Sequence, residues 1–377
     1  MCVGFADWDA ELWTNQQHLM SRLAARNRVL FVESLGLRRP QLAGRDLRRI
    51  ARRLRRARRG PRPADGLHVL SPLVVPAHGR PGLRALNARL LRAQVRRAVQ
   101  RLGLTRPVLW SYVPQAEALL DVLDPSAVVY HCVDDIAAQK GVAGAAFRAA
   151  EARFAARADH VLASAPALAA RMRTLSDRVL EAPNVADTAL FAEALAPGPE
   201  DPAITALPKP RIVFTGAVVG TKLDLDLLAA VARRRPDWAF ALVGPVGAGD
   251  PGTDVSALHG LPNVHLLGPR PYAGLPAVLR AADAALIPYA VNDLTRSVFP
   301  MKVYEYLAAG LPVVATPLPA LAGVDAITTA SDANAMAGAL ARALDEDSPA
   351  RRQARSEAAR GHSWDARLEQ ISRALAA

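Results

Sequence analysis

What most constrains this chain is an alternation that runs along nearly its whole length. Short apolar, β-prone runs are each followed by a stretch with helical periodicity. In the first half the strand candidates are Cys2–Ala6, Val29–Glu33, Leu67–Ser71, Pro107–Tyr112, Val128–Val133, His160–Ser164 and Val179–Ala182. Helix-period segments lie between several of them, at Leu12–Arg26, Leu83–Leu102 and Ala143–Ala158. Strand, helix, strand in repetition gives a parallel sheet with helices on both faces. Leu195–Pro210, rich in Pro, Ala and acidic residues, reads as a linker. A second series follows, with strands at Arg211–Thr215, Trp238–Val243, Val264–Leu267, Ala284–Ile287, Pro312–Ala315 and Asp325–Thr329. Its helices are Leu225–Arg235, Ala277–Ala282, Met301–Ala309 and the run from Ala333 onward. The expected architecture is α/β: two doubly wound parallel-sheet (Rossmann-like) domains facing a central cleft. The first spans residues 1–187, the second 188–360, and a C-terminal helix over 361–377 packs back toward the first.

Length agrees with two domains, because 377 residues exceed the ~250–300 at which single cores stop growing. No run of 18 or more uncharged apolar residues predicts a membrane span, and the start, MCVGFADWDAELW, lacks a secretory pattern. Cys2 and Cys132 are too few for a disulfide framework or a four-cysteine metal site, which makes a cytoplasmic setting the expectation. Charge is uneven: 30 basic against 16 acidic residues over 1–187, and 17 against 19 thereafter. An anionic partner is therefore expected at the first half, by membrane, phosphorylated acceptor or acidic substrate. The segment Arg38–Arg62 carries twelve arginines, with Leu47, Ile50, Ala51, Leu54 and Ala57 at helical spacing. It reads either as a solvated insertion or as a peripheral contact with anionic membrane, at ~1 kcal/mol per basic residue near the surface. Nucleic acid fits less well, since the segment has no aromatic side chain for base stacking.

The residues richest in chemistry are Phe299–Thr316, FPMKVYEYLAAGLPVVAT. They read as a loop, a helix opened by Pro300, a stop at Gly310 and a buried strand. A helix start directs free N–H groups at the preceding loop and suits a diphosphate. Lys302 adds a point charge in the first turn. Glu305, three residues on, faces the same way and can accept hydrogen bonds from a ribose diol. Tyr304 and Tyr306 point elsewhere and pack.

The pattern Pro300-x-Lys302-x-x-Glu305-Tyr306-Leu307-Ala308-x-Gly310-x-Pro312-Val313-Val314-Ala315-Thr316 resembles the donor signature of GT-B glycosyltransferases. It is similar to the family-four group and to relatives in teichuronic-acid and exopolysaccharide synthesis. Trp8-Asp9, Gln16-x-His18-Leu19, Val129–Asp135, Pro183-Asn184-Val185-Ala186-Asp187 with Phe191, and Gly216 with Asp224–Leu228 continue the likeness in order. The resemblance implies a hexosyltransferase using a nucleotide-diphosphate sugar, UDP-sugars favoured, with retention of configuration and a glycan, lipid-linked or natural-product hydroxyl as acceptor. It also implies that Glu305 binds the ribose. A second glutamate, common eight positions earlier in the family, is Ser297 here, so Arg296, Ser297 and neighbours must meet the sugar. Gly216, Lys222, Gly244 and Arg270 complete the expected donor site, Arg270 beside the base. No metal or other cofactor is expected: cations and N–H groups meet the charge on the departing phosphate. A base for the acceptor is sought after the strand ends of the first domain, with Asp135 or Asp134 first and Asp9 second. His131, inside a strand, reads as a core histidine, Cys132 as a small buried filler and Asn184 as a fixture of the domain crossing. An epimerase working on the same donor, or a non-catalytic nucleotide binder, are the alternatives.

Overall fold

The computed structural model describes residues 1–10, 12–35, 60–75, 81–139 and 141–376. It divides into two compact units, Met1–Pro183 together with Ser372–Ala377, and Asn184–Ile371. Among the described residues no helix is long and apolar enough to cross a membrane.

Unit 1 holds one eight-stranded sheet: β1 (Cys2–Val3), β2 (Leu30–Val32), β3 (Arg62–Ala64), β4 (Leu67–Leu70), β5 (Leu109–Ser111), β6 (Val128–Cys132), β7 (His160–Ala163) and β8 (Val179–Glu181). Their spatial order is β3-β4-β2-β1-β5-β6-β7-β8, and every pairing is parallel except β3 with β4. All residues of β2 and β6 are buried, as strands covered on both faces must be. The helices fall where periodicity places them, at Asn15–Ala24, Pro81–Arg101 and Gly144–Arg157. The β3–β4 hairpin is a departure. Its turn is Asp65-Gly66, both at positive φ (45° and 78°), the pair that a two-residue hairpin turn favours. Of the basic segment, residues 38–59 lie outside the described residues. Arg62 belongs to β3 and pairs with Asp9 at 2.8 Å.

Unit 2 holds a six-stranded, wholly parallel sheet: β9 (Arg211–Thr215), β10 (Ala239–Val243), β11 (Val264–Leu266), β12 (Ala284–Ile287), β13 (Val313–Ala315) and β14 (Thr328–Thr329). The order β11-β10-β9-β12-β13-β14 is the doubly wound arrangement, with its reversal between β9 and β12. The expected linker is instead part of unit 2. Arg280 donates to the carbonyls of Glu193, Ala196 and Pro199. Arg211 donates to Thr205 O, Leu207 O and Ala281 O, and Asp201 caps the helix Pro202–Thr205. The prolines leave this stretch few ways to bond internally, and guanidinium donors from the domain body satisfy it instead.

Candidate functional site

The site builds up at the ends of β9 and β12, the reversal point at which doubly wound sheets take ligands. β9 ends at Thr215, and Gly216 follows with φ of 123°, a conformation that favours glycine. A Cβ on Gly216 would lie 2.6 Å from both Cε and Nζ of Lys302, so the lysine lies directly on the glycine. The Lys302 ammonium also stands 5.6 Å from the Phe214 ring centre. Gly244, at the end of β10, meets the same loop from the other side. A Cβ there would lie 1.9 Å from Gly216 O. Gly244 therefore lets two strand ends touch, supporting the loop from behind.

The helix carrying the motif runs Lys302–Ala308, shorter at its start than expected. Pro300 precedes its cap, Met301, and the N–H groups of Val303, Tyr304 and Glu305 are taken by Pro300 O and Met301 O. The first turn thus spends most of its free donors on its own backbone, and the side chain of Lys302 carries the positive charge. At the other end Gly310 (φ 79°) stops the helix. Leu311 N bonds Tyr306 O and Gly310 N bonds Leu307 O, a Schellman closure. Tyr306 is fully buried, and its hydroxyl oxygen accepts from Thr215 N at 2.8 Å, fastening the helix to the last residue of β9. Sequence reading assigned Tyr306 only to packing, because the 91-residue separation hides its partner.

Glu305 is 5 % exposed; its carboxylate accepts no protein hydrogen bond among the described residues, and its oxygens are not sealed off, so they keep contact with solvent. Burial raises its pKa above the usual carboxylate value, and the nearby Lys302 charge offsets part of that rise. The preceding turn is built by side chains. Thr295, fully buried, donates to Ala290 O, and Asn292 Oδ1 accepts from Leu294 N and Thr295 N, each at 3.0 Å. Arg296 is exposed and Ser297 half-buried on this turn. Asn184 Nδ2 donates to Phe299 O at 3.0 Å, so Asn184 holds the motif's first residue. Phe299, Tyr304 and His362 stack in one column, Tyr304 and His362 at 4.0 Å.

Lys222 sits half-buried, its carbonyl accepting from Ala290 N at 2.9 Å. Its loop is fixed by bridges Val218–Val246 and Leu223–Tyr289 and by Asp250 and Thr253, which take Thr221 N and Gly220 N. Arg270, expected beside a base, is bound to Asp201 at 2.6 Å and to Leu267 O at 2.9 Å. That pairing lowers the Asp201 pKa and raises that of Arg270. An arginine next to a helix-capping carboxylate satisfies the carboxylate first.

In unit 1 two of the three candidate carboxylates, those of Asp135 and Asp9, are held in ion pairs. Asp135 Oδ2 pairs with Arg148 at 2.6 Å, and its Oδ1 is buried. Asp9 has both oxygens on Arg62 Nη2 at 2.8 Å. Asp134 is half-buried, its carbonyl taking Ile136 N at 3.0 Å. His131 is buried and stacked on Tyr112 at 4.9 Å. Sequence reading missed Glu151, 1 % exposed, which accepts from Tyr130 Oη at 2.6 Å and pairs with Arg171 and Arg148. Its signal was a lone acid on the apolar face of Gly144–Arg157. Cys132 lies against this cluster, its thiol pKa raised by burial.

Residues 209–346 match the family model described as glycosyl transferases group 1. The chain is 28 % identical over 226 residues to TuaH of Bacillus subtilis (strain 168), named as a glycosyltransferase of teichuronic acid biosynthesis. That match takes in 57 % of this chain and 56 % of TuaH, so the chain spans just over half the length of the curated relative it matches. Anabaena Alr3699/HepE in complex with UDP and glucose aligns with TM-score 0.64 and 16 % identity, over 100 % of this chain and 99 % of that one. The α,α-trehalose 6-phosphate synthase of Burkholderia multivorans aligns with TM-score 0.68 and 13 % identity, over 99 % and 97 %. Residues 209–346 thus match the glycosyl transferases group 1 model, and the chain shares the GT-B fold of these solved structures.

Proposed function

We propose that the chain is a hexosyltransferase that binds a UDP-sugar in unit 2, works without a metal and retains anomeric configuration. The observation that carries the reading is Glu305, a mostly buried glutamate whose carboxylate keeps a solvent-facing edge, three residues from a lysine laid on Gly216. A buried acceptor of this kind is costly alone and is completed by paired hydroxyl donors such as a ribose diol. Lys302 then stands where it can meet the diphosphate. Support for the nucleotide comes from HepE, whose structures contain UDP and UDP-glucose.

In the reaction, the acceptor hydroxyl oxygen bonds to the anomeric carbon as that carbon's bond to the β-phosphate oxygen breaks. UDP leaves with the electron pair, and the hydroxyl proton passes to base or solvent. Charge grows on the leaving oxygen, and a cation already in position stabilises it without reorganisation. Lys302 takes this part, with Arg296 as the exposed second cation on the adjoining turn. Ser297 stands where many relatives by resemblance have a second glutamate, so the sugar meets shorter groups here.

The test is UDP binding by thermal shift together with UDP release from UDP-sugars. Glu305→Ala removes two charge-assisted bonds and should weaken UDP by about 3 kcal/mol, roughly 150-fold. Excess chelator should leave turnover unchanged. Equal UDP affinity in the variant and the parent would remove the site assignment, and loss of turnover with chelator would remove the metal-free mechanism.

A further inference from the structure

Unit 1 contains a groove of about 420 Å³ between the helices Pro81–Arg101 and Gly144–Arg157, within the range of small-molecule sites. Its floor is apolar, formed by Ala88, Leu91, Val142, Ala146, Phe147 and Ala150. Four arginines line it, Arg84, Arg92, Arg153 and Arg157, against two acids, Glu117 and Asp121. The acids are shared among three of them: Glu117 with Arg153 and Arg157, Asp121 with Arg92 and Arg157. Arg84 is exposed and has no acidic partner among the described residues. The lining therefore keeps an excess of positive charge. It also holds an unmet acceptor: Gln115 Oε1 is buried with no hydrogen-bond partner.

Beside the lining residues Val74, Ala85 and Asn87 lie exposed apolar side chains. Leu73, Val75 and Leu86 are 38 %, 37 % and 41 % exposed. Leu73 and Val75 are held there by side chains of the helix. Asn87 pairs with both N–H and C=O of Val75 at 2.7 Å, and Gln94, seven residues on, does the same for Leu73 at 2.8 and 3.0 Å. The chain is thereby laid along the helix as an extra strand would be. Its odd-numbered side chains face out while Val74 lines the groove. A fixed apolar lip beside a basic, apolar-floored trough is complementary to one class of molecule.

We propose that this groove binds an anionic lipid, chain along the floor and phosphate-class head among the arginines, as the lipid part of the acceptor. The acceptor role rests on the transferase reading above; the binding does not. Dodecyl phosphate, titrated into the full chain by calorimetry, should bind saturably at one site. It should bind at least tenfold tighter than dodecyl maltoside, with inorganic phosphate showing no binding. Ala146→Trp fills the floor and should lower that affinity tenfold or more. Ala85→Trp, at an exposed lining position where folding is safe, should do the same. Arg84→Ala should weaken dodecyl phosphate several-fold and leave dodecyl maltoside unchanged. Undiminished binding in both tryptophan variants, or equal affinity for the phosphate and the maltoside, overturns the proposal. A missing UDP shift in the parent protein would sink the donor reading alone, since saturable dodecyl phosphate binding lost in the tryptophan variants still supports the lipid site.

Discussion

A buried carboxylate without a partner lowers the stability of the protein that carries it. Glu305 has its pKa raised by burial, so the folded protein holds its proton to higher pH than the unfolded chain does. Stability on its account is full below the ordinary value of 4.5 and is lost as pH rises through the raised one. Glu305→Gln should therefore raise the unliganded Tm at pH 7–8, by roughly 2–4 °C for about 1 kcal/mol, and the gain should vanish below pH 4.5 in pH-dependent melts. The same variant should weaken UDP. The two glycines separate in another way. Gly216→Ala meets the flexible end of Lys302, so it should displace the ammonium and cost UDP affinity, with a smaller loss of stability from the strained φ. Gly244→Ala meets backbone at 1.9 Å and should lower Tm more, by an overpacking of about 1–3 kcal/mol. Melting and UDP titration of the two variants side by side distinguish these effects.

At the scale of elements, the Tyr306 hydroxyl joins the motif helix to β9, accepting from Thr215 N at 2.8 Å and lying 3.2 Å from Thr215 Oγ1. Tyr306→Phe keeps the ring and strands a buried N–H, which should cost about 1–3 kcal/mol in denaturant titration and loosen Gly216 enough to weaken UDP. Much at this scale was legible. Gly310 announced the stop, because only a residue at ease with positive φ closes a Schellman turn there. The helix start was less so, since Pro300 suits the first helical position and the position before a cap alike. The β3–β4 hairpin was missed although Asp65-Gly66 advertises a turn, because Arg62-Pro63-Ala64 has no strand-like apolar alternation. The Pro-rich stretch 195–210 looked unattached because its partners, Arg270 and Arg280, lie some seventy to eighty residues away. Separation also hid the pairing of Asp9 with Arg62, whereas Arg148 is near Asp135 in the chain and its pairing was missed because it lies on the following helix.

For the whole molecule, the alternation of strands and helices conveyed the class, whereas the strand order and the side-chain partners of the site came only with the structure. If UDP binds unit 2 alone, scanning calorimetry should show the stabilisation in one transition. At a hundredfold excess over Kd it amounts to about 2.7 kcal/mol, with the remaining transition unmoved. A uniform shift of all unfolding would contradict that. One feature of unit 1 bears on how such a chain can vary. Arg62 is level with Val69, and Val69 with Phe31, so β2 and the start of β3 are two strand spacings apart, roughly 10 Å. On the order of four residues cross that gap. The arginine-laden stretch between them can therefore be spliced out or exchanged without altering the register of the sheet, which makes it a replaceable cartridge on a fixed frame.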